Sequence, residues 1–360
     1  MREEQITDDD LPGLDNHRLL GTVIAVQANF YLVQLPPTAV KPELLCTRRT
    51  RLKKIGQNVM VGDQVIIDQP DWQGGRGAIA QVLPRQTELD RPQIANVNQI
   101  LLVFALADPV LEPVTLSRFL VKAESTGLDI CLCLNKADLI KESELEQWGD
   151  RLTNWGYQPI FISVATGLGL VDQQLPKKLQ DKITVIAGPS GVGKSSLINY
   201  LIPDVNLRVG EVSGKLAKGR HTTRHTELFK LPAGGLLADT PGFNQPDLLA
   251  PPEDVALLFP EIQTKLLNTQ CQFSDCSHRD EPNCAVQGDW ERYPYYLTFL
   301  QEAIARQGIL QKQGDGESTM KSITKAGGQQ QLEPKLASKK YRRTSRRVEN
   351  QRLQDWQNED

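Results

Sequence analysis

The sequence predicts a multidomain protein: an OB-like β-barrel, then an α/β domain carrying a phosphate-binding loop, then a small α-helical domain built around zinc. Three observations predict it. Short Val/Ile-rich runs punctuated by Gly, Asp, Asn and Pro occupy the stretch from Gly21 to Leu83. From Gln99 onward, continuous apolar runs alternate with helical ones, the mark of a parallel sheet covered on both faces. Beyond Pro246 the composition shifts to short helices and a cysteine cluster.

Residues 1–16 are acidic and polar and are expected to be disordered. The barrel is assigned to residues 17–85, from GTVIAVQANFYLVQL through NVMVGDQVIID to GAIAQVL. Between its strands lies RRTRLKK, Arg48 to Lys54, read as a loop with five basic residues in seven. Such a loop is either simply solvated or a contact for a phosphate backbone.

The α/β domain is assigned to residues 95–244. ILLVFAL, DICLCLN, PIFIS and DKITVIAG read as strands; LSRFLVKAESTG, ELEQWGDRLTNWG and KSSLINYLI read as helices. Cys131 and Cys133 share one face of a strand and are read as core packing. The metal-binding domain is assigned to 245–306, and 307–360 is read as a polar and basic tail expected to be flexible. Within that tail KKYRRTSRR, Lys339 to Arg347, carries six basic residues, no acid and one aromatic, the composition of a nucleic-acid-binding tail.

GPSGVGKS follows a strand and opens a helix, the setting that a G-x-x-x-x-G-K-S loop requires. Gly188, Gly191 and Gly193 let backbone amides converge on phosphate oxygens, with Ser190, Val192 and Ser196 completing the loop. Lys194 is placed to reach the β and γ phosphates and Ser195 to ligate magnesium. NKAD, Asn135 to Asp138, selects the base. Asp138 can accept hydrogen bonds from guanine N1 and the exocyclic amine, Asn135 braces the loop, and the Lys136 stem covers the ring. Adenine would leave that carboxylate unpaired. Ser163, in ISVATGLGL, and the amides after it are read as facing the guanine carbonyl oxygen.

Two further elements follow the phosphate loop. LLADTPGF supplies Asp239 for magnesium and the Gly242 amide for the γ phosphate. GRHTTRHTELF supplies Thr222 and Thr223, with Thr223 read as the switch residue that closes on magnesium. Phe243 follows Gly242 where a water-orienting Gln would serve hydrolysis, and a phenyl ring cannot polarise water. His221 is the internal candidate for that task, against the plainer reading of a loop histidine.

Cys271, Cys276, His278 and Cys284 supply three sulfurs and one imidazole within fourteen residues. That is a full tetrahedral set with no open position, so the zinc is read as structural. Cys46 gives no signal.

Taken in order, NKAD, S-x-x-T-G, GPSGVGKS, GRHTT, DTPG and the Cys-Cys-His-Cys cluster resemble the circularly permuted ribosome small subunit-dependent GTPase A family, over roughly residues 17–305. The resemblance implies an OB-fold, a permuted GTPase domain and a C-terminal zinc domain. It also implies GTP hydrolysis stimulated by the small ribosomal subunit during its late maturation, with that subunit and its rRNA as partners. By motif match, base binding falls on Asn135, Lys136 and Asp138, phosphate binding on Gly188 to Ser196, the switch on Thr223 and magnesium on Asp239. The histidine to which the family's catalysis is attributed matches His221. Val164 departs from the Ala usual after the Ser; that position presents a backbone amide, so little change in base choice is expected.

Formal net charge is -3, so no global basic field advertises nucleic acid. MREEQITDDD is no secretory leader, six cysteines fit a reducing compartment, and no apolar run reaches the roughly 18 residues of a membrane span. A cytoplasmic monomer is therefore expected, without membrane contact. Two other readings stand beside the enzyme: an RNA-binding module whose nucleotide site only stabilises it, and a GTPase acting on another RNA or protein.

Overall fold

Alternation of apolar and polar residues shapes the first layer. In the computed structural model, which describes residues 18–90, 93–203, 205, 227–239, 247–313, 320–324 and 330–334, five strands close into a barrel. They are β1 (Arg18–Gln27), β2 (Phe30–Gln34), β3 (Glu43–Arg48), β4 (Gln64–Asp71) and β5 (Arg76–Val82), in the order β1-β2-β3-β5-β4. Only β3 and β5 run parallel; the other neighbours are antiparallel. This is the OB-like barrel that the sequence predicts. Its interior is filled by Val23, Val33, Leu44, Cys46, Ile67 and Ile79.

RRTRLKK departs from its reading as a loop. Thr50–Lys54 forms a short helix, α1, because Leu52 is buried against the barrel core and draws the basic residues around it into a turn. A two-stranded ribbon, β6 (Glu88–Asp90) and β7 (Gln93–Ala95), then leads out of the barrel. Here Gly62 has φ +87°, and a Cβ on it would lie 2.0 Å from the Ala95 carbonyl oxygen, so only glycine fits the junction. Asp63, wholly buried beside it, is paired with Arg85 Nε at 2.7 Å.

The second layer is a six-stranded sheet. Its elements are β8 (Gln99–Ala105), α2 (Pro113–Glu124), β9 (Asp129–Asn135), α3 (Glu142–Asn154), β10 (Ile160–Phe161), α4 (Gln174–Leu179), β11 (Ile183–Ala187), α5 (Lys194–Leu201), β12 (Leu228–Lys230) and β13 (Leu236–Asp239). The strand order is β10-β9-β8-β11-β13-β12, with only β12 antiparallel. β8 is buried along its whole length. Leu102 and Phe104 face α2 and α3, whereas Leu101 and Val103 face α4 and α5. Cys131 and Cys133 lie on the second of these faces, as core packing. Helices therefore change face between β8 and β11, and the carboxyl ends of those two strands form the crevice where open α/β sheets bind ligands.

The third layer combines a 3-10 segment, Pro252–Leu258, with α6 (Pro260–Asn268) and α7 (Tyr293–Gln313). Its core, Val255, Phe259, Ile262, Val286, Tyr296 and Phe299, includes Val121 of α2. Arg292 is fully buried at this junction. Its guanidinium bonds Glu261 on α6, with Nε to Oε1 at 2.6 Å, and lies 4.9 Å from the ring centroids of both Trp155 and Phe259. Arg118 donates two hydrogen bonds to Glu302, at 2.5 and 2.7 Å, and Trp155 Nε1 donates to Glu291 at 2.9 Å.

The chain divides into two compact units, Met1–Ala303 and Ile304–Asp360. In the second, α7 runs on to Gln313, past residue 307 where the sequence reading starts its tail. β14 (Met320–Thr324) and β15 (Gln330–Pro334) then pair as an antiparallel ribbon, so part of the stretch read as flexible carries regular structure. Residues 1–16 and Lys339–Arg347 lie outside the described residues. Among the described residues, no helix is long and apolar enough to cross a membrane.

Candidate functional site

The loop after β11 meets the loop after β9 at the crevice, and Asn135 joins them. Its amide Nδ2 donates to the Val192 carbonyl at 2.8 Å, and its Oδ1 accepts the Val164 N–H at 3.3 Å. One buried side chain thus ties NKAD to the phosphate loop and to the S-x-x-T-G loop. The contact needs glycine opposite: a Cβ on Gly193, at φ +98°, would lie 2.4 Å from Asn135 Nδ2. Gly188 is similarly constrained, since its Cβ would fall 2.0 Å from the Val103 carbonyl oxygen.

Lys194 opens α5 and is buried. Its ammonium donates to the carbonyls of Gly188 at 2.8 Å and Pro189 at 2.5 Å. Burial pulls its pKa down to about 8, against the opposing attraction of Asp239. Asp239 ends β13 level with Ile186 of β11, so it stands beside the strand that feeds the loop. Val192 is buried, Ser190 and Gly191 are exposed, and Ser195 and Ser196 are half-buried in the first turn of α5.

On the base side, Asp138 is exposed in a 3-10 turn, Ala137–Leu139, and Lys136 adopts a left-handed conformation with φ 62°. Lys136 Nζ donates to the Asp108 carbonyl. Ser163 is fully buried and its Oγ accepts the Thr166 N–H at 3.1 Å, so its side chain shapes the loop. Thr222, Thr223, His221, Gly242 and Phe243 lie outside the described residues.

Sequence reasoning passed over the segment from Ala107 to Glu112, which follows the ILLVFAL strand. Leu106 N–H donates to the Asn135 carbonyl at 3.0 Å, and a Cβ on Gly191 would lie 3.7 Å from Pro109. This segment and the phosphate loop enclose a cavity of about 290 Å³ lined by Phe104, Pro109, Val110, Leu111, Pro189 and Val192. Only the topology brings it there; nothing in its composition marks it.

The four metal-ligand candidates converge. Their ligand atoms all lie within 4.8 Å of one another. Nδ1 of His278 is 3.5 Å from the sulfurs of both Cys271 and Cys284, which are 4.0 Å apart. A tetrahedron with Zn–S bonds of about 2.3 Å and a Zn–N bond of about 2.0 Å has edges of about 3.5–3.8 Å. The donor set and its spacing therefore fit such an ion. Glu281, which the sequence reading missed, braces the loop: it accepts the Ser277 N–H at 2.8 Å, the Ser277 hydroxyl at 2.5 Å and the Arg279 N–H at 2.8 Å. These bonds, led by the Ser277 hydroxyl, hold its carboxyl down to about 2. The Tyr296 hydroxyl donates to the Ser277 carbonyl at 2.6 Å, fastening the loop to α7.

A family model described as RsgA GTPase matches residues 82–249. The small ribosomal subunit biogenesis GTPase RsgA of Trichormus variabilis is 64% identical over 359 residues, covering 94% of this chain and 96% of that protein. The chain belongs to the RsgA GTPase family. The RsgA protein of Synechocystis sp. is 56% identical over 352 residues, covering 93% of this chain and 94% of its own. Among solved structures, YjeQ from Thermotoga maritima matches with TM-score 0.67 and 32% identity over 80% of this chain and 99% of that one. YloQ, described as a circularly permuted GTPase, matches with TM-score 0.67 and 31% identity over 82% and 98%. This RsgA-family chain has the permuted arrangement: β8 to β10, with NKAD, precede β11 and the phosphate loop.

Proposed function

We propose that this chain is a magnesium-dependent GTP hydrolase that acts on the small ribosomal subunit late in its maturation, in the cytoplasm and as a monomer. The observation that carries the nucleotide half is the Asn135 clamp, which holds base-reading and phosphate-reading loops in one register. The partner half rests on relatives named as small ribosomal subunit biogenesis GTPases.

In this reading Asp138 and Lys136 hold guanine, the amides after Ser163 face its carbonyl oxygen, and the amides from Gly188 to Ser196 hold the phosphates. Lys194 turns from its own loop's carbonyls to the β and γ oxygens. Ser195, Thr223 and Asp239 would hold magnesium, which supplies charge neutralisation at the transferring phosphoryl group. Gly242 bonds the γ phosphate, and His221 orients the attacking water that Phe243 cannot. Cys271, Cys276, His278 and Cys284 would hold one structural zinc. The barrel, the zinc domain and the Lys339–Arg347 tail contact rRNA.

GTP turnover by the full chain, alone and with vacant small or large subunits, tests the whole reading, with Lys194→Ala as blank. Stimulation by small subunits alone is expected; equal stimulation by both, or by neither, would remove the assigned partner.

Because Lys194 loses its proton near pH 8 before nucleotide is bound and regains it against phosphate, binding takes up a proton above that pH. GTP affinity should be flat below pH 8 and fall by about tenfold per unit above it. Titration calorimetry in buffers of different ionisation enthalpy checks this, and pH-independent affinity up to pH 9.5 would contradict it.

Metal analysis should find one zinc per chain, and Cys276→Ser should lose it. Structural zinc contributes several kcal/mol, so melting should fall by about 10 °C. Full zinc content in the variant would show that the ligand set is misassigned.

A further inference from the structure

Strands β8 and β9 end side by side, with Ala105 opposite Asn135. The Leu106 N–H extends their ladder by donating to the Asn135 carbonyl at 3.0 Å. Just beyond that bond both chains pass through a left-handed residue that is not glycine: Asp108, with φ 47°, and Lys136, with φ 62°. A residue with a Cβ is disfavoured there, so the conformation persists where its surroundings fix it, and such residues gather at ligand sites. Here the two meet. The Lys136 ammonium donates to the Asp108 carbonyl.

The backbone around Lys136 is held on both sides, by the bond to the Asn135 carbonyl and by the Ala137 N–H, which donates to the Ile162 carbonyl at 3.0 Å. The lysine stem is what remains to be ordered, and such a stem has many rotamers to lose before it can lie over a ring. Asp108 is itself exposed, but the residue after it is seated on the phosphate loop. A Cβ on Gly191 would meet Pro109 Cδ at 3.7 Å, an ordinary contact, and Pro109 lines the cavity shared with Pro189 and Val192. The carbonyl that receives Lys136 is therefore presented from a segment packed against the phosphate loop.

We propose that Asp108 is a positioning residue for guanine nucleotides: its left-handed backbone aims the carbonyl at the Lys136 ammonium and so holds the lysine stem along the face where the base lies. The inference rests on the reading of Lys136 as the residue whose stem covers guanine. It makes the segment after β8 a further element of the nucleotide site, joined to the base side through Asp108 and to the phosphate side through Pro109. Because GDP and GTP carry the same base, the contribution is common to both.

The test uses the full chain and measures Kd for GDP and for GTPγS with magnesium. Asp108→Val, whose branched Cβ disfavours the left-handed region, should turn the carbonyl away and weaken both nucleotides about 5- to 10-fold. Lys136→Met keeps the length of the stem and loses the ammonium, and should weaken them to a similar extent. The double variant should bind no more weakly than either single one, since both remove the same bond. Asp108→Gly, at ease in this conformation, should restore affinity. Should valine prevent folding, Asp108→Ala is measured in its place. Lys136→Ala, which removes the stem as well, should lose more than Lys136→Met. If Lys136→Ala binds both nucleotides as the unaltered chain does, the base reading fails and the positioning role fails with it. If Lys136→Ala is weak but Asp108→Val binds normally, or if Asp108→Val weakens binding as much again in the Lys136→Met background, the positioning role is wrong and the base reading stands.

Discussion

Replacing Asp138 by Asn should convert this chain from a GTP binder into an XTP binder. The carboxylate offers two acceptors to guanine, whose N1–H and exocyclic amine are both donors, and charge-assisted bonds of this kind contribute about 1.5–3 kcal/mol each. An asparagine amide keeps one acceptor and turns a donor toward the guanine amine. GTP affinity should therefore fall by about 10²- to 10⁴-fold. Xanthine carries an oxygen where guanine carries that amine, so the same amide gains a partner and XTP should bind at least as well as GTP did. Competition of XTP and GTP against a fluorescent nucleotide measures both arms. Asp138 ends a path that runs from β9 through the buried Asn135 and the left-handed Lys136, and none of these is altered by the change. Retained GTP selectivity would mean that the base sits elsewhere.

The nucleotide motifs and the metal set were legible because their chemistry restricts both residue type and spacing. Nothing but glycine tolerates the Asn135 approach at Gly193, and three sulfurs with one imidazole within fourteen residues leave few other arrangements. The sheet was legible because β8, β9 and β11 are apolar on both faces. What stayed hidden depends on contacts remote in sequence. α4 is six residues long, too short to show a helical period. RRTRLKK reads as a loop until Leu52 is seen inside the barrel core. A bulge at Ile24 of β1 alters no residue type and leaves no trace in composition. Arg292 is the extreme case, since an arginine in a polar, turn-rich stretch reads as surface.

Arg292→Met should be the most destabilising single change at the junction of the helical domain with α2 and α3. The guanidinium is wholly buried, Glu261 is 10% exposed, and the Trp155, Tyr157 and Phe259 rings surround the pair. Methionine fills much of the volume but strands the Glu261 carboxyl with no cation. Breaking one side of a buried ion pair costs about 3–5 kcal/mol. Removing both charges, as Arg292→Met with Glu261→Leu, should recover most of that loss, because well-packed apolar replacements of such pairs are often neutral. Denaturant unfolding of the two variants measures the difference. Equal loss in both would show that shape, not charge, holds the junction. The same anchor bears on the permuted chain order, which sends the strand that precedes DTPGF directly into the helical domain. If nucleotide state reorients that domain against the barrel, Val121, Arg118 and Arg292 require it to carry α2 and α3 along or to break these contacts. Hydrogen exchange in the GTP-analogue and GDP states separates the two. Coupled motion keeps α2 and α6 equally protected in both, whereas detachment exposes them together. Unchanged protection throughout 247–300, with the barrel surface unchanged as well, would remove the reorientation altogether.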